Sequence, residues 1–557
     1  MEIKKLLANA INLKVEGVNY EDLIIESVST DKGDYCLPCF ALSKALHKSP
    51  MDIANEIKDA FSCEIVDKCE VQSGYLNFFL KKDKISENVL KEFTSKSAFE
   101  TEFGKGKVVC VDYGSPNLAK FLHIGHLKSL IEGESLCRLL ELNGYTVKRL
   151  DFTGDYGVPF GKILYGLMHW GSKEDVLARG NDALQEYYVK FNQAEAEDES
   201  LTQVAKDLFK KISDKAPEIY PLYEFIIDIS LASEKKAFLD LGVKFDDKRG
   251  EMYYEQFVPE LIETLKQKGL LKESLGSQIV DLDEFSLGAA VIVKNGDITL
   301  YLTRDIAAAV DRYKDYGYDK LFYVTDVAQV LHFDQLKKVL EVAGYQCYDK
   351  VEHVPYGRFS LPDGKISSRR GKQAVLVDLL EYAENKAKDV IANRTFTIEK
   401  PEDVASKVAA SVLNYSVLKV ERGKDCVFDA EKAFSFEGET APYMQYTYTR
   451  LESVLRKYTE TGATPNYACF DDSAFELVKS INTFKETINL ALEKRDASLV
   501  AKRVMEMCKQ FNKFYTNNKI LEEDAGNTKA KINLVKSLKE TLAVGFYIIC
   551  IDTLKEM

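Results

Sequence analysis

Two imidazoles flank a glycine at His123-Ile124-Gly125-His126, and just upstream the chain reads Ser115-Pro116-Asn117-Leu118-Ala119-Lys120. Both histidines can donate hydrogen bonds to phosphoryl oxygens, the donors a polyphosphate displacement needs where charge accumulates. Gly125, lacking a Cβ, lets a base or phosphate approach the backbone. A helical pattern opens at this point, so free N–H groups and the helix dipole also favour an anion. By themselves the two histidines are equally compatible with an incomplete metal pair or with two satisfied side chains. A second group lies about 240 residues on, where Lys365, Ser367, Ser368, Arg369, Arg370 and Lys372 follow the turn Pro362-Asp363-Gly364. Four cations and two hydroxyls there suit a loop that closes over a pyrophosphate leaving group, the alternative being a solvated basic loop. The single Cys-x-x-Cys, Cys36 to Cys39, has no second pair beside it and reads as packing rather than metal binding.

The elements that must hold these residues follow from hydrophobic period. Residues 108–111 form a short continuous apolar run, as in a strand buried on both faces of a parallel sheet. A Gly/Ser/Pro/Asn loop follows, then a helical pattern over 125–142, Gly144 and a second strand over 146–151. This βαβ unit puts the histidine segment beyond a strand carboxyl end, where α/β sheets bind ligands. Charged helical sequence over about 173–247 reads as an insertion, after which strands return at 289–294 and 321–325. Three domains are expected: a small α+β unit over 1–104, a Rossmann-type α/β domain over 105–380 with its insertion at 173–250, and an all-helical bundle over 381–557.

The two signatures together resemble those of the class I aminoacyl-tRNA synthetases, a His-Ile-Gly-His loop and a later Lys-Met-Ser-Lys-Ser loop, the second approximated here by Lys365-Ile-Ser-Ser-Arg369. The chain is most similar to the arginyl-tRNA synthetase family, in which that second lysine is often absent and one stands just upstream of the first signature, as Lys120 does. Gly154-Asp-Tyr-Gly157, Tyr301-Leu-Thr-Arg-Asp305, Gly438-Glu-Thr-Ala-Pro-Tyr443-Met-Gln445-Tyr446 and Gly33-Asp-Tyr-Cys-Leu-Pro38 match further family segments, in the family's order. The resemblance implies ATP-dependent formation of arginyl-adenylate, then transfer to the terminal adenosine of tRNA(Arg), with ATP entering as its Mg²⁺ complex and no structural metal. It assigns phosphate and transition-state contacts to Lys120, His123, Gly125, His126, Lys365, Ser367, Ser368 and Arg369. It assigns the arginine substrate to Asp112, Ser115, Asn117, Tyr301, Asp305 and Gln329, with Asp112 standing where the family commonly has Glu. Tyr301 and Asp305 would share one pocket if the helix begins near Thr303. In the helical bundle, which resembles an anticodon-binding domain, Tyr443, Gln445, Tyr446, Tyr448, Arg450 and Met557 are the tRNA candidates, although core packing is the plain reading of each tyrosine.

Composition narrows the alternatives. The 557 residues are 46% hydrophobic and 29% charged, ordinary for globular chains and unlike disordered or collagen-like ones. A net charge of −13 disfavours a protein that coats nucleic acid nonspecifically, but allows a local basic face. Residues 501–540 carry nine Lys/Arg against five Asp/Glu with Phe511, Phe514 and Tyr515 among them, a possible RNA-facing stripe or simply a solvated helix face. Eleven scattered cysteines fit reduced, buried side chains in a cytoplasmic protein. The apolar run over 544–551 is far short of the roughly 20 residues that span a bilayer, and residues 1–7 do not form a leader. A monomer with no membrane partner is expected. Rival readings are a class I synthetase for another amino acid, a small nucleotidylyltransferase, and a catalytically silent RNA-binding relative.

Overall fold

The computed structural model describes residues 2–27, 32–294, 298–362, 375–392 and 400–556. Lys365, Ser367, Ser368, Arg369 and Met557 lie outside the described residues. The chain divides into two compact units.

The first unit comprises residues 1–99, 447–486 and 503–544. Its antiparallel sheet runs in the order β1 (Ile25–Glu26), β2 (Tyr35–Pro38), β4 (Tyr75–Leu80), β3 (Val66–Gln72). Ser73 and Gly74, both at positive φ, make the two-residue turn that joins β3 to β4 with the twist a hairpin needs. Tyr35, Leu37, Leu76 and Phe78 are fully buried. Cys36 and Cys39 are also buried and unpaired, as packing residues. In the helical part, Phe511 and Phe514 are fully buried, so the expected aromatic stripe is core, not an RNA face. Tyr515 alone of the three is exposed.

The second unit comprises residues 100–446, 487–502 and 545–557. Here β5 (Val108–Asp112) and β6 (Thr146–Leu150) pair in parallel, joined by the helix His126–Leu142. The insertion follows as the helices Lys173–Arg179, Asn181–Glu197, Leu201–Ser213 and Tyr220–Asp240. With the helix Val158–His169 they bury Phe160, Ile163, Leu184, Ile212 and Ile226 in a core of their own, and that core includes Leu118 and Ala119. The strands β7 (Leu271–Ser274), β8 (Ser277–Asp281), β9 (Ala289–Lys294) and β10 (Ile298–Thr299) make a separate antiparallel sheet. The returning strand over 289–294 therefore pairs with β8 and β10 and not with the parallel sheet. The parallel sheet is completed by β11 (Lys320–Tyr323) and β12 (Val351–His353), in the order β12-β11-β5-β6. Helices Tyr301–Tyr316 and Val330–Val342 cover it, burying Ile306, Ala309, Leu336 and Leu340 with Cys110 and Leu321. Later helices, Leu376–Ala392 and Pro401–Leu418, belong to this unit as well.

Candidate active site

The parallel register sets Asp112, the last residue of β5, beside Tyr323, the last of β11. The crevice beyond these strand ends is closed by loops that are tied together. Gly154 donates its N–H to the Pro116 carbonyl at 2.7 Å, and Leu118 donates to the Gly154 carbonyl at 3.1 Å. Ser115 (φ 51°) and Ala119 (φ 60°) hold left-handed backbone conformations that cost free energy outside glycine, so packing must enforce them. The Ala119 N–H is fixed by Ser230 Oγ at 3.1 Å, a residue of the insertion. Gly114 is confined too: a Cβ there would lie 2.1 Å from Asp151 Oδ1.

One cavity of about 490 Å³ has Asp112, Ser115, Asn117, Tyr301, Asp305 and Gln329 on its wall, all six residues assigned to the amino acid. Tyr301 begins its helix, two residues earlier than expected, so Tyr301 and Asp305 stand four apart on one helical face. Thr303 does not cap this helix because its hydroxyl donates to the Ile292 carbonyl at 2.6 Å. Phe152, Glu251, Tyr323, His332 and Phe333 also line the cavity and were not anticipated. Glu251 opens the helix Glu251–Glu255, where an acid is expected on dipole grounds alone, and no spacing links it to Asp112 or Asp305.

The wall is acidic but largely compensated. Arg312 Nη1 donates to Asp112 Oδ2 at 2.7 Å, with both side chains almost wholly buried. Ser115 Oγ donates to the other oxygen at 3.2 Å. Burial pushes the Asp112 carboxyl up, against the pull of Arg312. Both Asp112 oxygens thus have internal partners. Glu251 lies 3.3 Å from Arg304 Nη2, yet burial pushes its carboxyl up to about 8. Asp305 Oδ2 is 2.7 Å from His332 Nε2. Beneath Gly114, Asp151 is fully buried and its carboxyl is pushed up to about 7.

At the histidine segment, Gly125 N–H donates to His123 Nδ1 at 3.1 Å, which leaves the ring's proton on Nε2 as a donor. His126 Nδ1 lies 3.1 Å from both the amide nitrogen and the carbonyl oxygen of His123. Burial lowers both imidazole pKa values, favouring neutral rings. Val375 pairs with His123, and Leu376 N–H donates to the Leu122 carbonyl at 2.7 Å. Lys120 is not in the acidic cavity. It lies on an adjoining one of about 590 Å³, together with Tyr156, Lys206, Phe209 and Arg304, and the two cavities share Asn117, Gly154 and Tyr301. Its ammonium sits 5.5 Å over the Tyr188 ring.

Of the tRNA candidates, Tyr443 and Tyr446 are half-buried and Tyr448 is buried. Gln445 is fully buried, with Nε2 donating to Ser411 Oγ and to the Asp552 carbonyl at 3.0 Å each. It is a packing residue, out of reach of RNA. Arg450 donates to Asn512 Oδ1 at 2.6 Å and lies 4.8 Å over the Tyr515 ring. Among the described residues, no group of three His, Cys, Asp or Glu is placed to hold a metal ion.

A parallel sheet with a His-Ile-Gly-His segment opening its first crossover helix, and a carboxylate-lined cavity beyond its strand ends, are features of a class I aminoacyl-tRNA synthetase catalytic domain. Residues 88–430 match the family model described as tRNA synthetases class I (R), catalytic domain. Residues 1–80 match the arginyl tRNA synthetase N terminal domain, and residues 444–557 the DALR anticodon binding domain. The chain belongs to the arginyl-tRNA synthetase family. It is 36% identical to the arginine–tRNA ligase of Halothermothrix orenii over the whole of both chains, and 36% identical to that of Clostridium beijerinckii over 100% of this chain and 99% of the relative. The Thermus thermophilus arginyl-tRNA synthetase structure shares the fold, with a TM-score of 0.81 and 23% identity over 100% of this chain and 99% of that one.

Proposed function

We infer that this enzyme activates arginine with ATP and esterifies it to tRNA(Arg), through the residues named below. The observation that carries this reading is the single cavity on which Asp305, Glu251 and Tyr301 converge. A guanidinium offers a planar fork of five N–H donors and is best held by carboxylates set around it. Lysine, a point charge with three donors, leaves part of such an acceptor set unpaired, and buried unpaired acceptors discriminate strongly.

The substrate carboxylate then attacks the α-phosphate of Mg²⁺-bound ATP, giving arginyl-adenylate and pyrophosphate. Attack by the terminal ribose hydroxyl of tRNA on the carbonyl carbon releases AMP. No covalent enzyme intermediate is needed, because positioning and charge stabilisation suffice. His123 and His126 supply neutral N–H donors to phosphoryl oxygens, and Gly125 admits the adenine. Lys365, Ser367, Ser368 and Arg369 grip the pyrophosphate. Lys120, on the adjoining cavity with Lys206 and Arg304, stands in for the missing signature lysine and supplies a cation to the phosphates. Tyr443, Tyr446, Arg450 and Met557 remain candidates for contacts with the anticodon stem-loop, whose unstacked bases pile onto aromatic faces. We place the enzyme in the cytoplasm as a monomer, which sedimentation of the purified protein tests. No helix among the described residues is long and apolar enough to cross a membrane.

The decisive assay is amino-acid-dependent ATP/pyrophosphate exchange across the twenty amino acids, with and without tRNA. Exchange stimulated by arginine is expected, and stimulation by a different amino acid in its place overturns the reading.

A further inference from the structure

Three carboxylates wall the arginine cavity, and each is partnered differently. Arg312 bonds Asp112 at 2.7 Å, and Arg304 lies 3.3 Å from Glu251. A guanidinium side chain keeps its charge under any condition a protein survives, so these two acids face a permanent positive charge. Asp305 is partnered by an imidazole, His332, at 2.7 Å, and imidazole is the one partner of the three that can stand neutral.

Geometry adds a second point. Asp305 stands in the second turn of the helix Tyr301–Tyr316, and His332 in the first turn of Val330–Val342, so the bond ties together two helices that flank the cavity. The His332 ring meets Phe333 edge-on, with centroids 4.9 Å apart. Phe333 in turn stacks on His353 and lies tilted against Tyr323, each at 4.7 Å. The imidazole is thus set in a packed aromatic row, and a donor fixed in space fixes the acceptor it bonds. An aspartate without that bond turns freely about its last torsion, which is broad and roughly two-fold. With Oδ2 held by His332, the carboxylate plane is set and Oδ1 faces one direction. That matters for a planar guanidinium far more than for a spherical ammonium.

We propose that His332 is a positioning residue for arginine selection: its Nε2–H holds Asp305 Oδ2 so that the carboxylate plane is ready for the substrate guanidinium. The proposal rests on the arginine reading given above, and it assigns His332 no contact with the reacting atoms.

The test is a cycle on the full-length enzyme. His332→Phe keeps a ring of similar volume and removes the donor, while His332→Gln keeps an N–H donor on a neutral side chain. The KM for arginine should rise about ten- to hundredfold in His332→Phe, the range expected for losing a hydrogen bond to a charged group, with the KM for ATP unchanged. His332→Gln should recover most of that loss. In an Asp305→Asn background, His332→Phe should add nothing further. Arginine affinity by calorimetry gives the same readout where exchange is too slow. An unchanged arginine KM in His332→Phe, a KM for ATP that rises in step, no recovery by Gln, or effects that multiply in the double variant would each overturn the proposal. If the wild-type protein shows no response to arginine, the arginine reading itself has failed, a result distinct from any of these.

Discussion

Glu251 links arginine binding to the proton. Burial pushes its carboxyl up to about 8 against the pull of Arg304, so at pH 7 it is mostly protonated. A guanidinium entering the cavity favours the carboxylate and drives the proton off. The sign follows: with a raised carboxyl pKa in the free enzyme, arginine affinity is lowest at acid pH and gains as pH rises through about 8. The penalty at pH 7 is that of deprotonating a group about one unit below its pKa, about 1.4 kcal/mol. Removing it by going to pH 9 should tighten arginine binding about tenfold. Titration calorimetry at pH 7 in phosphate and in Tris, whose ionisation heats differ, gives the proton count as the slope of observed heat against buffer ionisation heat. Release of most of one proton per arginine is expected, falling clearly in Glu251→Gln. A slope of zero in the wild type, or an unchanged slope in the variant, would refute the reasoning.

Other expectations follow from the same geometry. His126→Ala should slow arginine-dependent pyrophosphate exchange by about 10²- to 10³-fold, the loss typical of one oxyanion donor, with an unaltered circular dichroism spectrum. Gly114→Ala places a Cβ 2.1 Å from the buried Asp151 Oδ1, and overpacking of about 1–3 kcal/mol should appear as a lower denaturant midpoint together with weakened arginine binding. Gln445→Ala takes a donor from the Asp552 carbonyl, with Ser411 Oγ keeping the Asp552 N–H at 3.1 Å, and should cost about 1–3 kcal/mol by denaturant titration, while tRNA affinity measured by filter binding stays within a factor of two or so of wild type. Arg312→Met leaves Asp112 buried without its cation and should destabilise by about 3–5 kcal/mol, more than any other single change named here.

Much of the catalytic framework can be read from residues close together in the chain. The run Val108 to Val111 is apolar because both faces of β5 are covered, and the loop and helix after it carry chemistry at short spacing. The partners across the cavity were not legible in this way. Arg312 lies 200 residues from Asp112, and nothing in its helical surroundings distinguishes an internal counter-ion from a surface cation. Glu251 and His332 likewise stand on helix first turns, where acids and polar residues are common for local reasons. The antiparallel sheet β7–β10 was missed as a unit because its strands are short, and partner choice is absent from a strand's own pattern. Thr303 looked like a helix start, but its hydroxyl is committed to Ile292 by tertiary contact. Gln445 sits among tyrosines in a segment that resembles the anticodon domain, yet a long-range pair of bonds buries it.

On the proposed function, the cavity behind Asp305 holds the arginine side chain. A crystal structure of the enzyme soaked with arginine tests it directly. The guanidinium is expected within hydrogen-bond reach of Asp305 and Glu251, with Asp305 Oδ2 still on His332 and Asp112 still on Arg312. A guanidinium bound elsewhere, or an arginine whose side chain leaves Asp305 untouched, would contradict it.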